Sequence, residues 1–121
     1  ERDGASLIHC LAGKDRTGLG VALLHALIGV HASDIMADYL LTNSHANVPG
    51  RSEARAQLVR ANMGVPMTED AVQTIMTADA AFLDAAFDTI RADHGDVETY
   101  AAAVLGVNPA RRAALAQRLL R

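Results

Sequence analysis

"LIHCLAGKDRTGLG", residues 7–20, holds the one cysteine of a 121-residue chain. Cys10 closes a short apolar run and opens a loop containing Gly13, Lys14, Arg16 and Gly18. A long apolar stretch follows at once. The pattern predicts a strand over residues 5–10, a tight loop over 10–16 and a helix from Thr17 to Val30, with the thiol at the turn.

A thiolate is the nucleophilic form of cysteine, and its pKa falls where positive potential surrounds it. The N–H groups of Leu11, Ala12, Gly13, Lys14, Asp15 and Arg16 can turn inward as a nest, and the helix that follows directs its positive end to the same point. Lys14 and Arg16 add full charges, and Gly13 lets the backbone bend tightly. Such a concavity suits a tetrahedral dianion, whose oxygens a guanidinium grips in pairs. The nucleotide-binding P-loop is a different motif. It needs Gly at position 8 and Ser or Thr at position 15, where this chain has Ile8 and Asp15. The residues alone leave one other reading, a buried and inert cysteine beside a basic loop.

Half the residues are apolar and the formal net charge is −3. A chain of this size can bury a core as one domain. Its mild acidity argues against a nucleic-acid partner, whose binding surface is basic. One cysteine excludes a disulfide within the chain and a multi-cysteine zinc site. Residues 19–30 are apolar but too short to span a bilayer, so no stable membrane insertion is expected.

Further along, Ser33 and Asp34 predict the start of a helix over "DIMADYLLTN", with Ile35, Met36, Tyr39 and Leu40 on one face. A helix is expected from about Ser52 to Asn62, before Gly64 and Pro66. Thr68 opens a long Ala-rich helical stretch to about Asp93, interrupted near Thr77. Asp96 caps a helix closed by Gly106, and Asn108-Pro109 starts a last one to Leu120. One strand with about six helices is an incomplete inventory, because a lone strand leaves its backbone donors and acceptors unpaired. The expectation is an α/β fold: residues 1–121 form the C-terminal, mostly helical part of a larger domain, and the other strands of its parallel sheet lie outside this sequence.

"HCLAGKDRTG" resembles the active-site signature of the cysteine-dependent protein tyrosine phosphatase superfamily. Its Ala-Gly-Lys-Asp-Arg interior is similar to that of bacterial tyrosine phosphatases related to the atypical, lipid-active dual-specificity enzymes. The likeness continues through "DIMADYLLTN", and the specific motifs cover about a third of the chain. The resemblance implies a phosphatase that needs no metal or other cofactor and acts on phosphorylated proteins or phosphoinositides. It makes Cys10 the nucleophile, Arg16 the clamp on the phosphoryl oxygens and Leu11 to Arg16 the phosphate cradle. Thr17 is implied to stabilise the thiolate, and His9 to shape the loop by hydrogen bonding. Lys14 resembles the extra cation that lipid-active members aim at inositol phosphates. The family's general acid is an Asp on a loop preceding the signature, a loop this sequence lacks. Asp15 therefore either protonates the leaving oxygen or balances Lys14 and Arg16. Three rivals stand beside this reading: a phosphate-binding module without turnover, a rhodanese-like sulfurtransferase and an arsenate reductase. The interior of the loop and the preceding His9 disfavour the two enzymes.

Residues 62–80, with Met63, Met67 and Met76, correspond to the region that forms a helical lid in that bacterial family; plain core packing is the alternative. His25 is expected in the core or at its edge. His31, His45 and His94 are expected to cap helix ends. Asp38 and Asn43 either brace the phosphate loop or serve as ordinary surface and capping groups. Arg111, Arg112, Arg118 and Arg121 predict a solvated basic face on the last helix.

Overall fold

The computed structural model describes residues 4–45 and 51–120, with all side chains there except those of Arg51, Ser52 and Arg55. Seven helices follow one another among the described residues: α1 (Asp15–Leu27), α2 (Ala32–His45), α3 (Arg51–Met63), α4 (Glu69–Met76), α5 (Ala80–His94), α6 (Val97–Val104) and α7 (Pro109–Leu119).

Capping chemistry sets most of the boundaries. Thr68, Asp96 and Asn108 each stand in extended backbone and accept a hydrogen bond from the N–H three residues on. Each satisfies a donor that the first helical turn leaves free. The Ala-rich stretch breaks at Thr77, where the backbone turns extended, and Asp79 then caps α5 through Ala81 N–H at 2.9 Å. The expected cap at Ser33 moves back two residues. His31 precedes α2, its carbonyl accepts from Asp34 and Ile35, and its Nδ1 accepts from Ser33 N–H at 3.3 Å. The imidazole nitrogen does the work expected of the serine hydroxyl, which lies 2.8 Å from it.

Residues 5–10 do not form the expected strand. They run up to the loop without regular structure, and Leu7 and Ile8 are 87 % and 50 % exposed. A strand exists only through ladder bonds to a neighbour, and no other segment among the described residues supplies one.

α1 is the central element and packs on α2, α5 and α6. Ala22 of α1, Ile35 and Tyr39 of α2, Ala78 of the α4–α5 linker and Leu83 of α5 form the buried centre, with Leu19, Ala26, Met36, Leu40 and Phe87 around it. The last helix is tied back by Arg112, whose Nε donates to Leu27 O at 2.8 Å and whose Nη1 pairs with Glu98 at 3.2 Å. Arg118 bonds Gly4 O and Arg111 bonds Gly106 O. Arg111 and Arg118 stay exposed on the last helix, as expected of a solvated basic face, while Arg112 is partly buried by its contacts; Arg121 lies outside the described residues.

α3 and α4 pack on each other, with Arg60 of α3 paired to Glu69 of α4. They rejoin the rest through the linker between α4 and α5.

α1 and α2 approach closely because Gly18 has no side chain. A Cβ built there would stand 2.7 Å from Tyr39 Cδ2 and Cε2, and Tyr39 is only 5 % exposed. Gly18→Ala gains about 1 kcal/mol in helix propensity but overpacks this contact by about 1–3 kcal/mol. A net loss of roughly 1 kcal/mol is expected, read as a lower denaturant midpoint; an unchanged or higher midpoint would show that the tyrosine ring yields.

Candidate active site

The loop from Cys10 to Lys14 turns on Gly13, whose φ of +67° lies in the left-handed region that favours glycine. It delivers the chain into α1 at Asp15. Lys14, at the N-cap position, offers no side-chain cap. The first N–H groups of α1 are thus left for an anion, the usual chemistry of a helix N-terminus.

The Cys10 sulfur, partly exposed, is that acceptor. The Thr17 hydroxyl, the Thr17 N–H, and the N–H groups of Gly13 and Lys14 hold its pKa down from an ordinary 9.0 to about 6, with partial desolvation opposing them. The hydroxyl is the largest influence. Thr17 Oγ1 is buried and makes no hydrogen bond of ordinary geometry, so it acts on the thiol as a donor held close by. Hydrogen bonds to the charged form favour that form, so a thiolate prevails at neutral pH.

The neighbouring side chains divide into two groups. Arg16 is exposed and pairs with no carboxylate among the described residues. With Asp15, Leu19, Tyr39, Phe82, Leu83 and Ala86 it lines a groove of about 180 Å³. The groove is apolar apart from the two charged groups at the loop. The Asp15 carboxylate is 57 % exposed at this rim, 3.3 Å from Lys14 Nζ. Burial, followed by the negative charges of Asp15 and Asp79, raises the pKa of Tyr39 on the groove wall. His9 is exposed at the end of the irregular segment that leads into the loop.

Lys14 belongs to the other group. Its side chain turns away into the protein, 6 % exposed, and donates to Ile75 O at 2.6 Å and Thr77 O at 2.9 Å. Its backbone N–H faces the sulfur, whereas its ammonium is engaged behind the loop. Asn43 acts on the same linker: Nδ2 donates to Ala78 O at 2.8 Å and Oδ1 accepts from Ala78 N–H at 2.7 Å. Asn43 thus braces the segment that receives Lys14, two steps from the sulfur. The carbonyls of Ile75 and Thr77 gave no signal in the sequence, because a backbone acceptor has no residue type. His25 stands at the edge of the core, 3.9 Å from Asp38. Among the described residues no group of His, Cys, Asp or Glu could hold a metal ion. No helix there is long and apolar enough to cross a membrane.

The model of a family described as the tyrosine phosphatase family matches residues 1–121. A protein of Cupriavidus necator, named as a tyrosine-protein phosphatase, is 40 % identical over 105 residues, covering 86 % of this chain and 36 % of the relative. The triple specificity protein phosphatase PtpB of Mycobacterium tuberculosis is 30 % identical over 102 residues, 78 % of this chain and 36 % of its own length. A tyrosine-protein phosphatase of Nostoc commune is 42 % identical over 57 residues, or 46 % of this chain and 19 % of the relative. The chain therefore spans about a third of the length of the first two relatives.

Because the bonds from Thr17 stabilise the anion alone, alkylation of Cys10 by iodoacetamide is expected to rise with pH through a midpoint near 6. Thr17→Val keeps the shape of the side chain and removes the donor, so the midpoint should climb by about one pH unit or more. A midpoint that stays put would deny the hydroxyl its role.

Proposed function

Since the chain belongs to the tyrosine phosphatase family, we propose that it carries the catalytic loop of a phosphatase acting on phosphotyrosine through a cysteinyl-phosphate intermediate. One observation carries this reading. The single cysteine is held as a thiolate by the loop and the first turn of α1, beside an arginine with no carboxylate partner among the described residues.

The chemistry follows from the positions. The Cys10 sulfur attacks phosphorus, a sulfur–phosphorus bond forms, and the bond to the leaving oxygen breaks with a proton transferred to that oxygen. Arg16 and the loop N–H groups hold the equatorial oxygens, where charge spreads in the transition state. Water then attacks phosphorus and the sulfur departs, again as the thiolate that Thr17 stabilises. The groove beside Arg16 offers apolar walls to the organic part of the substrate. The proposal extends to phosphoserine, phosphothreonine and phosphoinositides; the name of the triple specificity relative supports such breadth. The α/β architecture is part of the same proposal, with residues 5–10 pairing in a parallel sheet supplied from outside this sequence. Residues 62–80, where Met63 and Val65 stand exposed, form its lid.

Cys10→Ser in the whole enzyme should abolish hydrolysis of an aryl phosphate while phosphate still binds, and Arg16→Lys should lose most activity, because a point charge does not reproduce the guanidinium fork. Turnover of Cys10→Ser within about tenfold of wild type would refute the covalent route. A single burst without turnover in the wild type would instead identify a phosphate-binding module.

Asp15 is proposed as the proton donor to the leaving oxygen, from its exposed place at the rim. Asp15→Asn should then slow a substrate with a poor leaving group, such as an alkyl phosphate, about tenfold more than p-nitrophenyl phosphate. Equal losses on both would leave Asp15 with charge balance alone.

A further inference from the structure

Lys14 is the buried charged side chain among the described residues, and its ammonium is engaged within the protein. An ammonium has three donors. Here two go to the carbonyls of Ile75 and Thr77, and the Asp15 carboxylate lies 3.3 Å away on the remaining side. A cation taken out of water is tolerated only when it is satisfied in this way. The two carbonyls lie 61 and 63 residues along the chain. They bracket Met76, the last residue of α4, so the ammonium grips the point where α4 passes into the α4–α5 linker. That linker is itself held by Asn43 of α2, whose amide takes both the N–H and the carbonyl of Ala78. Ala78 is 2 % exposed within the core cluster that also contains Tyr39.

Lys14 is thus fixed at its far end, while its own N–H points at the Cys10 sulfur next to that of Gly13. Gly13, with no side chain and a left-handed φ, has nothing of its own to hold the loop in place. The next side chain along is the one that reaches the linker. We propose that Lys14 is a positioning residue: its side chain, anchored on the α4–α5 linker that Asn43 fixes to α2, holds the loop N–H groups around the Cys10 sulfur. The inference concerns the setting of the thiol, and it stands or falls separately from any turnover of substrate.

Loss of a nearby cation raises a thiol's pKa by charge alone, so Lys14→Met cannot decide the matter by itself. Asn43→Ala can, because it removes no charge, touches no loop residue and frees only the linker. The measurement is the pH midpoint of Cys10 alkylation by iodoacetamide in the whole enzyme, with thermal unfolding followed in parallel. Both variants should shift the midpoint upward, Lys14→Met by about one pH unit and Asn43→Ala by a smaller step in the same direction. A shift in Lys14→Met with none in Asn43→Ala would overturn the proposal and leave Lys14 acting through its charge. An unchanged midpoint in both would overturn it as well. Should Lys14→Met fail to fold, Asn43→Ala decides alone: a raised midpoint supports the anchored loop and an unmoved one rejects it.

Discussion

A sulfur anion needs donors, and the structure depends on where this one finds them. Water supplies them freely to an exposed thiolate. Here the Thr17 hydroxyl and three backbone N–H groups replace part of that hydration, and they are fixed before any ligand arrives. Fixed donors cost no reorganisation when charge builds up near them. The requirement passes to α1, because Thr17 reaches the sulfur only if the first turn of the helix keeps its rotation. Gly18, one residue on, lies against the ring of Tyr39, and Ala22, one turn further, is buried beneath it. The core of this chain is therefore also the support of its thiol.

The linker between α4 and α5 is a second support, made of polar groups instead of apolar ones. Four hydrogen bonds from two side chains converge on residues 75–78. A neutral bond of this kind contributes about 0.5–1.5 kcal/mol net, and one from a charged donor somewhat more. Their larger value lies in direction. Apolar contacts allow a segment to slide, whereas an amide that engages both the N–H and the carbonyl of one residue sets its register. α3 and α4, which pack mainly on each other, take their orientation from this short stretch.

Much of this was legible in the sequence, and the exceptions have physical causes. The caps at Thr68, Asp96 and Asn108 were readable because a short polar side chain before an apolar run bonds locally, whatever surrounds it. The break at Thr77 and the turn at Gly13 belong to the same class. His31 displaced Ser33 because several side chains near a helix start can act as acceptor, and only the approach of the chain chooses among them. Residues 5–10 have a strand's composition, yet a strand is a relation between segments, and no segment among the described residues pairs with this one. Lys14 was read as a cation added to the phosphate loop because charge is a property of the residue, while its direction is set by carbonyls more than sixty positions away. Asn43 was left between bracing the phosphate loop and an ordinary surface or capping role for the same reason.

All the donors that reach the sulfur come from Gly13, Lys14 and Thr17, within seven residues of Cys10 itself. The setting of the thiol is thus a nearly self-contained piece of chain: one turn, one helix start and one hydroxyl. Such a piece is portable. It asks of its host only an approach to the turn and a buried flank for the helix, demands that many architectures meet. The groove beside the loop, by contrast, also needs Tyr39 of α2 and Phe82, Leu83 and Ala86 of α5, and these distant positions are free to differ where the loop is kept. Diversity among proteins that share this loop is accordingly expected to reside in what surrounds the ten residues rather than in the residues themselves.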